Sequence, residues 1–401
     1  MATSLAACRP TPSPTLTREQ RIQVRPGALV VKNGTLIDGT GSKPVKDAAV
    51  VIEGQTIVAV GPERKFQFPK GIRAIDAGGG TILPGIINAH VHILAGGSWL
   101  EPWTEAGVTT VRDLGASLNG ILTFKRLQAK KGNRVPTLVV AGPIITAPGG
   151  YPVPIWGRAI ALEMGDTAAA REGVEQLLDA GVDIIKIAVT RGHAPDRLWP
   201  ELTLEQIQAI VEVAHQRGTR VSAHVSTTAD LWRAVEGGVD DAAHMVWDEV
   251  PDELIRLMVE KDVYMVPTLF VREAGLKWRG ATQEQVKQAL DAMKSNLRRF
   301  VAAGGKVALG NDFGNPGVEP GMPLREMELM VEAGMTPMQV IMAGTKHAAH
   351  VCNLEDKVGT IEPGKQADII VVDGDPLQDI SAMASVIVVI KGGEVIKAPT
   401  P

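Results

Sequence analysis

Residues 83–93 read LPGIINAHVHI, an apolar run that holds two histidines, His90 and His92, two positions apart. Residues 85–93 have the length and the composition of a buried strand. Because side chains alternate between the two faces of a strand, this spacing places both imidazoles on one face. The run therefore predicts a core strand that ends in two polar side chains, and the rest of the chain must explain them.

Strand-like and helix-like segments alternate downstream of this run. The eight strand candidates are residues 85–93, 108–114, 137–145, 183–189, 220–226, 240–245, 263–269 and 306–312. Helical patterns fill the gaps; in one of them Thr203 is the predicted N-cap, Gln206 stands three residues on and Gly218 ends the helix. Eight buried strands, each followed by a helix, predict an α/β fold with a (β/α)8 TIM barrel over residues 84–356.

A doubly wound open sheet is the alternative to the barrel. Such a sheet is expected to place a glycine-rich phosphate-binding turn directly after its first strand. In this chain the first strand runs into HVHILAGG, which lacks the G-x-G-x-x-G spacing. The barrel is therefore the favoured architecture.

Both ends of the chain consist of short β-type runs separated by turns. The dipeptides that separate these runs are Asn-Gly at 33–34, Glu-Gly at 53–54 and Gly-Gly at 392–393, and each is a hairpin signal. We expect the two ends to pair in one composite, β-sandwich-like small domain formed by residues 21–83 and 357–401.

The composition excludes several classes of function. The net charge is −4 and no long basic run occurs, which disfavours a nucleic-acid partner. No run of 18 apolar residues is present, so the sequence predicts no transmembrane segment. With only two cysteines, Cys8 and Cys352, a disulfide framework does not hold the fold together.

The first 20 residues are polar and proline-rich and are predicted to be a disordered tether. Residues 5–8 (LAAC) resemble a bacterial lipobox, which would place a lipid anchor on Cys8 and the protein outside the cytoplasm. The charged and apolar parts of a signal peptide do not precede the motif. An extracytoplasmic bacterial lipoprotein and a cytoplasmic enzyme therefore both remain open.

Ionisable residues stand late in several of the predicted strands. Besides His90 and His92, they are Lys186, His224, His244 and Asp312. In a TIM barrel the carboxyl ends of the strands meet at one mouth, where the active site lies. Imidazole and carboxylate groups suit zinc and similar divalent ions. The pattern predicts a metal site, and Lys186 is costly on an apolar central strand unless it has a strong partner there.

The segments that carry these residues resemble the amidohydrolase superfamily. HVH, IIKIAV around Lys186, SAHVS around His224, AAHM around His244 and LGND around Asp312 follow the family order. The flanks ILPGIINAHVHI and VGTIEPGKQADIIVVD resemble the imidazolonepropionase-like and Xaa-Pro-dipeptidase-like branch. GND departs from the more usual GTD but keeps the aspartate in place.

The resemblance implies a binuclear centre holding two divalent ions, most often zinc. In that scheme His90, His92 and Asp312 hold one ion, and His224 and His244 hold the second. Lys186 is carboxylated by CO2 and its carbamate bridges both ions. Asp312 acts as the general base and then as the acid. Dimers are common in the family, so the resemblance also implies a homo-oligomer.

The reaction class is narrowed by two positions. Deaminases of the superfamily carry a glutamate three residues after the histidine of the fifth strand, whereas Thr227 stands there in this chain. Imidazolonepropionase proper lacks the bridging lysine that Lys186 would provide. Hydrolysis of an amide, dipeptide or N-acyl amino acid is favoured, and a lactonase or phosphotriesterase is the alternative.

Loops after the strands supply the candidate substrate contacts, which are Tyr151, Arg191, His193 and Trp247. Arg191 could hold a substrate carboxylate with two parallel hydrogen bonds. A metal-binding barrel that acts as a binding protein is the non-enzymatic alternative, since a fold does not determine a function.

Overall fold

A computed structural model describes residues 21–96, 100–192 and 198–399. The strands are β1 Ile22–Gln23, β2 Leu29–Leu36, β3 Val45–Glu53, β4 Thr56–Pro62, β5 Phe66–Gln67, β6 Arg73–Asp76, β7 Thr81–Pro84, β8 Ile86–Val91, β9 Val108–Asp113, β10 Thr137–Val140, β11 Ile144–Thr146, β12 Ala161–Glu163, β13 Ile185–Ala188, β14 Val221–His224, β15 Asp241–Ala243, β16 Tyr264–Val266, β17 Ile369–Val372, β18 Val386–Lys391 and β19 Glu394–Lys397.

Most helices lie between the strands of the central part of the chain. They are α1 Ile93–Gly96, α2 Glu101–Glu105, α3 Leu118–Ala129, α4 Val153–Trp156, α5 Thr167–Ala180, α6 Leu204–Gln216, α7 Thr228–Gly237, α8 Asp252–Glu260, α9 Leu269–Trp278, α10 Gln283–Ala302, α11 Leu324–Glu332, α12 Pro337–Met342 and α13 Ala348–Val351. Short 3₁₀ turns occupy Glu63–Lys65, Gly132–Arg134, Arg158–Ile160 and Ile380–Ala384, and a π-helical turn occupies Ala343–His347. Within the described ranges no helix combines the length and the hydrophobicity that crossing a membrane requires.

Strands from both ends of the chain form one eight-stranded sheet. Its order is β19-β18-β17-β7-β2-β3-β4, with β6 paired to β2. The ends meet where β17 pairs with β7 in antiparallel register, Ile369 opposite Pro84. The predicted pairing of the two ends is confirmed by this register. The strands form a single sheet, so the sandwich-like arrangement and the boundaries 21–83 and 357–401 stay predictions.

Two of the three predicted hairpin turns join neighbouring strands. Gly54 follows β3, which pairs with β4, and Gly392 follows β18, which pairs with β19. The prediction at Asn33 was wrong, because Asn33 lies inside β2, where the register against β3 shifts between Lys32 and Gly34. Asn33 adopts φ 59°, a left-handed conformation that bends the strand as a bulge instead of reversing the chain.

The central strands form two parallel sheets, between whose strands most of the helices lie. One has the order β10-β9-β8 and the other has the order β12-β11-β13-β14-β15-β16. The third predicted strand, 137–145, is divided into β10 and β11, and Gly142 with φ 72° lies at the break. The pairs within each sheet are parallel, so the carboxyl ends of β13, β14 and β15 point to the same side. Val307 and Phe313 make parallel bridges to β16 and to β8, so the carboxyl end of β8 points to that side as well.

Residues 306–312 do not form the predicted eighth strand. Their backbone nevertheless bonds to both neighbours: Ala308 N–H donates to Met265 O of β16 at 2.9 Å, and Asp312 N–H donates to His90 O of β8 at 2.9 Å. Asp312 has φ 59°, which interrupts an extended ladder. The segment therefore places Asp312 beside the end of β8 without being a regular strand.

Candidate metal centre

His90 and His92 stand at the carboxyl end of β8, and both face Asp312. His90 Nε2 lies 3.4 Å and His92 Nε2 lies 3.2 Å from Asp312 Oδ1. Burial, followed by the charge of Lys186, lowers the pKa of His90 well below its usual range. His90 is therefore neutral at physiological pH and offers a nitrogen lone pair.

His244 completes a group of three potential ligands with His90 and Asp312. One ligand atom from each of the three residues lies within 4.8 Å of the other two. Both His244 (φ 75°) and Asp312 (φ 59°) have left-handed backbones, and left-handed residues other than glycine concentrate at functional sites. His244 Nδ1 lies 2.7 Å from Thr268 Oγ1, a contact that fixes the orientation of its ring.

Lys186 is buried at the centre of β13 and stands next to this group. Its side chain is 1% exposed, and Nζ donates to Ser222 Oγ at 3.4 Å. Ser222 in turn donates to Asp241 Oδ1 at 2.7 Å. Burial lowers the pKa of Lys186 to about 7, against opposing effects of the carboxylates Asp241 and Asp312. Its amine is thus held in a position where a neutral form is populated near pH 7.

His224 ends β14 and lies between the metal-ligand group and an aromatic wall. Its ring centroid is 4.5 Å from that of His244 and 4.2 Å from that of Tyr151, which stacks on it. Burial raises the pKa of Tyr151, so its phenol stays protonated and can donate a hydrogen bond. Of the predicted substrate contacts, Tyr151 therefore lies at the site.

The residues present fit a bound metal ion. His90 Nδ1 is buried and has no hydrogen-bond partner among the described residues. For Asp312, burial raises the pKa, but the contact with His92 lowers it and prevails, which keeps a carboxylate within reach. A neutral imidazole, a second imidazole and a carboxylate converging at this spacing form a donor set suited to zinc.

A cavity of about 670 Å³ opens above these residues. Two of the candidate substrate contacts, Tyr151 and Trp247, line it. Arg191 does not line the described cavity, because its guanidinium pairs with Glu201, which also pairs with Arg233. His193 and the lipobox residue Cys8 lie outside the described residues.

Sequence reasoning missed the buried ion pair that supports Lys186. Arg112 of β9 is fully buried and bonds to both oxygens of Asp241 at 2.7 and 3.0 Å. It also donates to the carbonyls of Ala89 and Val351. The sequence offered a signal for this pair. Arg112 lies inside the apolar run VTTVRDL, and a charged side chain in a buried strand needs a partner, as at Lys186.

A comparison with known protein families decides which family this site belongs to. A model of the amidohydrolase family matches residues 81–396. The chain belongs to the amidohydrolase family. It is therefore a hydrolase of a metal-dependent family, and not a binding protein built on a barrel.

Relatives and solved structures cover nearly the whole chain. Ochratoxinase of Aspergillus niger is 25% identical over 92% of this chain and 87% of that protein. Imidazolonepropionase of Geobacillus kaustophilus is 26% identical over 88% of this chain and 90% of that protein. A crystal structure of a Xaa-Pro dipeptidase with bound methionine in its active site is 26% identical, with a TM-score of 0.79 over 93% of this chain and 100% of that one. The amidohydrolase resemblance predicted from the sequence is confirmed, and the structural neighbours imply an α/β, TIM-barrel-like fold.

Proposed function

We propose that this amidohydrolase cleaves a C–N bond of an amide, a dipeptide or an N-acyl amino acid at a binuclear zinc centre. The observation that carries the proposal is the convergence of His90, His244 and Asp312 at the bottom of a large cavity. The names of the relatives, ochratoxinase and Xaa-Pro dipeptidase, support a hydrolytic reaction with a small-molecule substrate. A cavity of this size accommodates such a substrate.

Six side chains would hold the two ions. His90, His92 and Asp312 would bind one ion and His224 and His244 the other, with a carboxylated Lys186 between them. The proximity of Asp312 to both histidines of β8 supports the first group. The contact between the rings of His224 and His244 supports the second. The burial of Lys186 against Ser222 supports a modified lysine, since an ammonium has no lone pair for a metal.

Two side chains carry the chemistry that belongs to the protein itself. When bound, the metal ions supply a water of lowered pKa and polarise the scissile carbonyl. Asp312 accepts the proton of the attacking water on its carboxylate and delivers it to the leaving nitrogen. Tyr151, protonated beside His224, donates a hydrogen bond to the carbonyl oxygen as negative charge develops there. Stacking on His224 limits the motion of the Tyr151 ring.

Lactones and phosphotriesters are the alternative substrates of the same site. They present no leaving nitrogen, so they do not require proton delivery from Asp312 to an amine. We infer that C–N hydrolysis uses the site more fully, because a leaving amine needs the proton that Asp312 takes from the attacking water, whereas the other leaving groups do not.

A hydrolysis screen tests the proposal. Zinc-loaded protein is assayed on dipeptides, N-acyl amino acids, lactones and phosphotriesters, with the Asp312→Asn variant as the matched control. We expect turnover to be highest on an amide and to be lost in the variant. Turnover confined to lactones or phosphotriesters would overturn the C–N assignment, and turnover by the variant equal to that of the wild type would overturn the role of Asp312 as the base.

We propose, finally, that residues 21–83 and 357–401 form a composite small domain next to a TIM barrel at 84–356. The β17–β7 pairing supports this division. The hydrogen bonds of residues 306–312 to β16 and β8 support closure of the barrel.

A further inference from the structure

Helix α9 follows β16 and is fixed at its start by a neighbouring helix. The carboxylate of Glu326 on α11 accepts the backbone N–H groups of Leu269 at 2.9 Å and Phe270 at 2.6 Å. Glu273 of α9 pairs with Arg325 of α11 and with Lys277 of its own helix. One side of α9 is thus held against α11, and the side chains on its other side have defined positions.

Arg272 lies on α9 at the wall of the cavity, over the ring of Trp247. The guanidinium carbon is 5.6 Å from the ring centroid, and both residues line the cavity. The side chain is partly buried, and its Nε is buried without a hydrogen-bond partner among the described residues. A buried donor without an acceptor is unfavourable, so this position needs an explanation.

The described residues supply no carboxylate to Arg272. No ion pair within 4.0 Å involves it in the described ranges, and the adjacent Glu273 is taken up by Lys277 and Arg325. Burial, followed by the charge of Arg279, lowers the pKa of Arg272. Arg279 stands seven residues on, at the same cavity wall, so two cations converge there.

The rim of the same cavity is apolar. Four of its lining residues are large hydrophobic side chains exposed to solvent: Leu94, Ile155, Trp156 and Trp278, with Trp278 70% exposed. Exposed apolar groups gathered around a cavity indicate a binding surface. A ligand that matches this wall has an apolar or aromatic body and one anionic group.

We propose that Arg272, held over Trp247 and assisted by Arg279, binds a carboxylate of the substrate. The inference rests on the proposed function and narrows it, because dipeptides and N-acyl amino acids carry a free carboxylate whereas lactones and phosphotriesters do not. A planar guanidinium matches a carboxylate with two parallel hydrogen bonds. Arg272 thus takes the specificity role that the sequence had suggested for Arg191.

Binding of uncleavable probes tests this subsite independently of turnover. Titration calorimetry compares 3-phenylpropanoate with 3-phenylpropanol, which share the aromatic body and differ in the charge. For the zinc-loaded wild type we expect tighter binding of the carboxylate. Arg272→Met should weaken the affinity for the carboxylate probe by about 10- to 100-fold and change the affinity for the alcohol probe by no more than about 2-fold. Arg272→Lys keeps the charge but loses the planar guanidinium with its paired donors, so its affinity for the carboxylate should lie between those of the wild type and Arg272→Met.

A matched control is Arg126→Met, because Arg126 is exposed on α3 and does not line the cavity. It should bind both probes as the wild type does. Unchanged carboxylate binding by Arg272→Met, or no preference for the carboxylate in the wild type, overturns the proposal. Unchanged alcohol binding and zinc content show that the variant is folded. A carboxylate preference that is lost in Arg272→Met, without hydrolysis of any amide by the wild type, would sustain the subsite and refute the proposed function.

Discussion

Asp312 combines three properties at one position: a left-handed backbone, burial, and contacts with His90 and His92. Its backbone N–H bonds to the carbonyl of His90, so the side chain is fixed relative to β8. A carboxylate so placed can hold an ion and also move a proton, and these two functions can be separated by substitution.

Asp312→Asn should separate the two functions. The amide keeps the shape and one oxygen donor, but it cannot accept the proton of the attacking water. We expect bound zinc to remain and kcat to fall by about 10²- to 10⁴-fold. Steady-state kinetics and elemental analysis of the same sample measure both. Activity close to that of the wild type would contradict the assignment of Asp312 as the base.

Lys186→Ala should abolish metal binding, because the proposed bridge is lost. Short carboxylic acids added to the buffer should restore part of the metal and of the turnover, since their carboxylate can occupy the space of the carbamate. Lys287→Ala is the matched control, as Lys287 is exposed on α10 and, within the described part of the chain, pairs only with Asp291. Full zinc content in Lys186→Ala without added acid would show that the lysine does not bridge.

The candidate ligand residues could be selected from the sequence because each stands within or at the end of an apolar run, where a polar side chain is costly without a function. Thr268 and Asp241 were not predictable in this way. Their roles depend on contacts with His244 and Arg112 that join strands distant in the sequence.

At the scale of the elements, Arg112 joins four parts of the core. From β9 it bonds to Asp241 on β15, to the carbonyl of Ala89 on β8 and to the carbonyl of Val351 on α13. All of these contacts are buried, so solvent does not screen them. The pair also keeps Asp241 in place behind Ser222 and Lys186.

Arg112→Met should destabilise the fold, because it leaves the carboxylate of Asp241 buried without its cation. We expect the free energy of unfolding to fall by about 3–5 kcal/mol, measured by chemical denaturation. The double variant Arg112→Met with Asp241→Asn should recover part of the loss, since no charge stays unpaired. An exposed control, Arg126→Met, should change stability by about 0.5 kcal/mol or less. A loss below about 1 kcal/mol for Arg112→Met would show that the pair is not important for stability.

The elements themselves were predictable to different degrees. The capping box at Thr203 and Gln206 exists as predicted, because its signal is local. The segment 306–312 has the composition of a strand, but Asp312 adopts a left-handed backbone there, and no local pattern encodes that. The hairpin predicted at Asn33 was wrong for a related reason. An Asn-Gly pair favours a positive φ, which suits a bulge as well as a turn.

For the whole molecule, the terminal sheet depends on both ends of the chain. β17 lies between β18 and β7, so strands separated by the whole central region are neighbours. The short β-type runs at both ends of the chain suggested this pairing, but they do not encode its register, in which Ile369 lies opposite Pro84. The side-chain cluster at the carboxyl ends of the parallel strands likewise exists only in the assembled fold.

The number of metal ions per folded chain tests the central claim most directly. Protein produced with zinc and bicarbonate is freed of loosely bound metal by gel filtration, and its zinc content is measured by elemental analysis. The proposed centre predicts about two ions per chain in the wild type. It also predicts loss of hydrolysis on chelation and recovery when zinc is returned. A chain that binds no metal, or one that keeps full activity after its metal is removed, would contradict it.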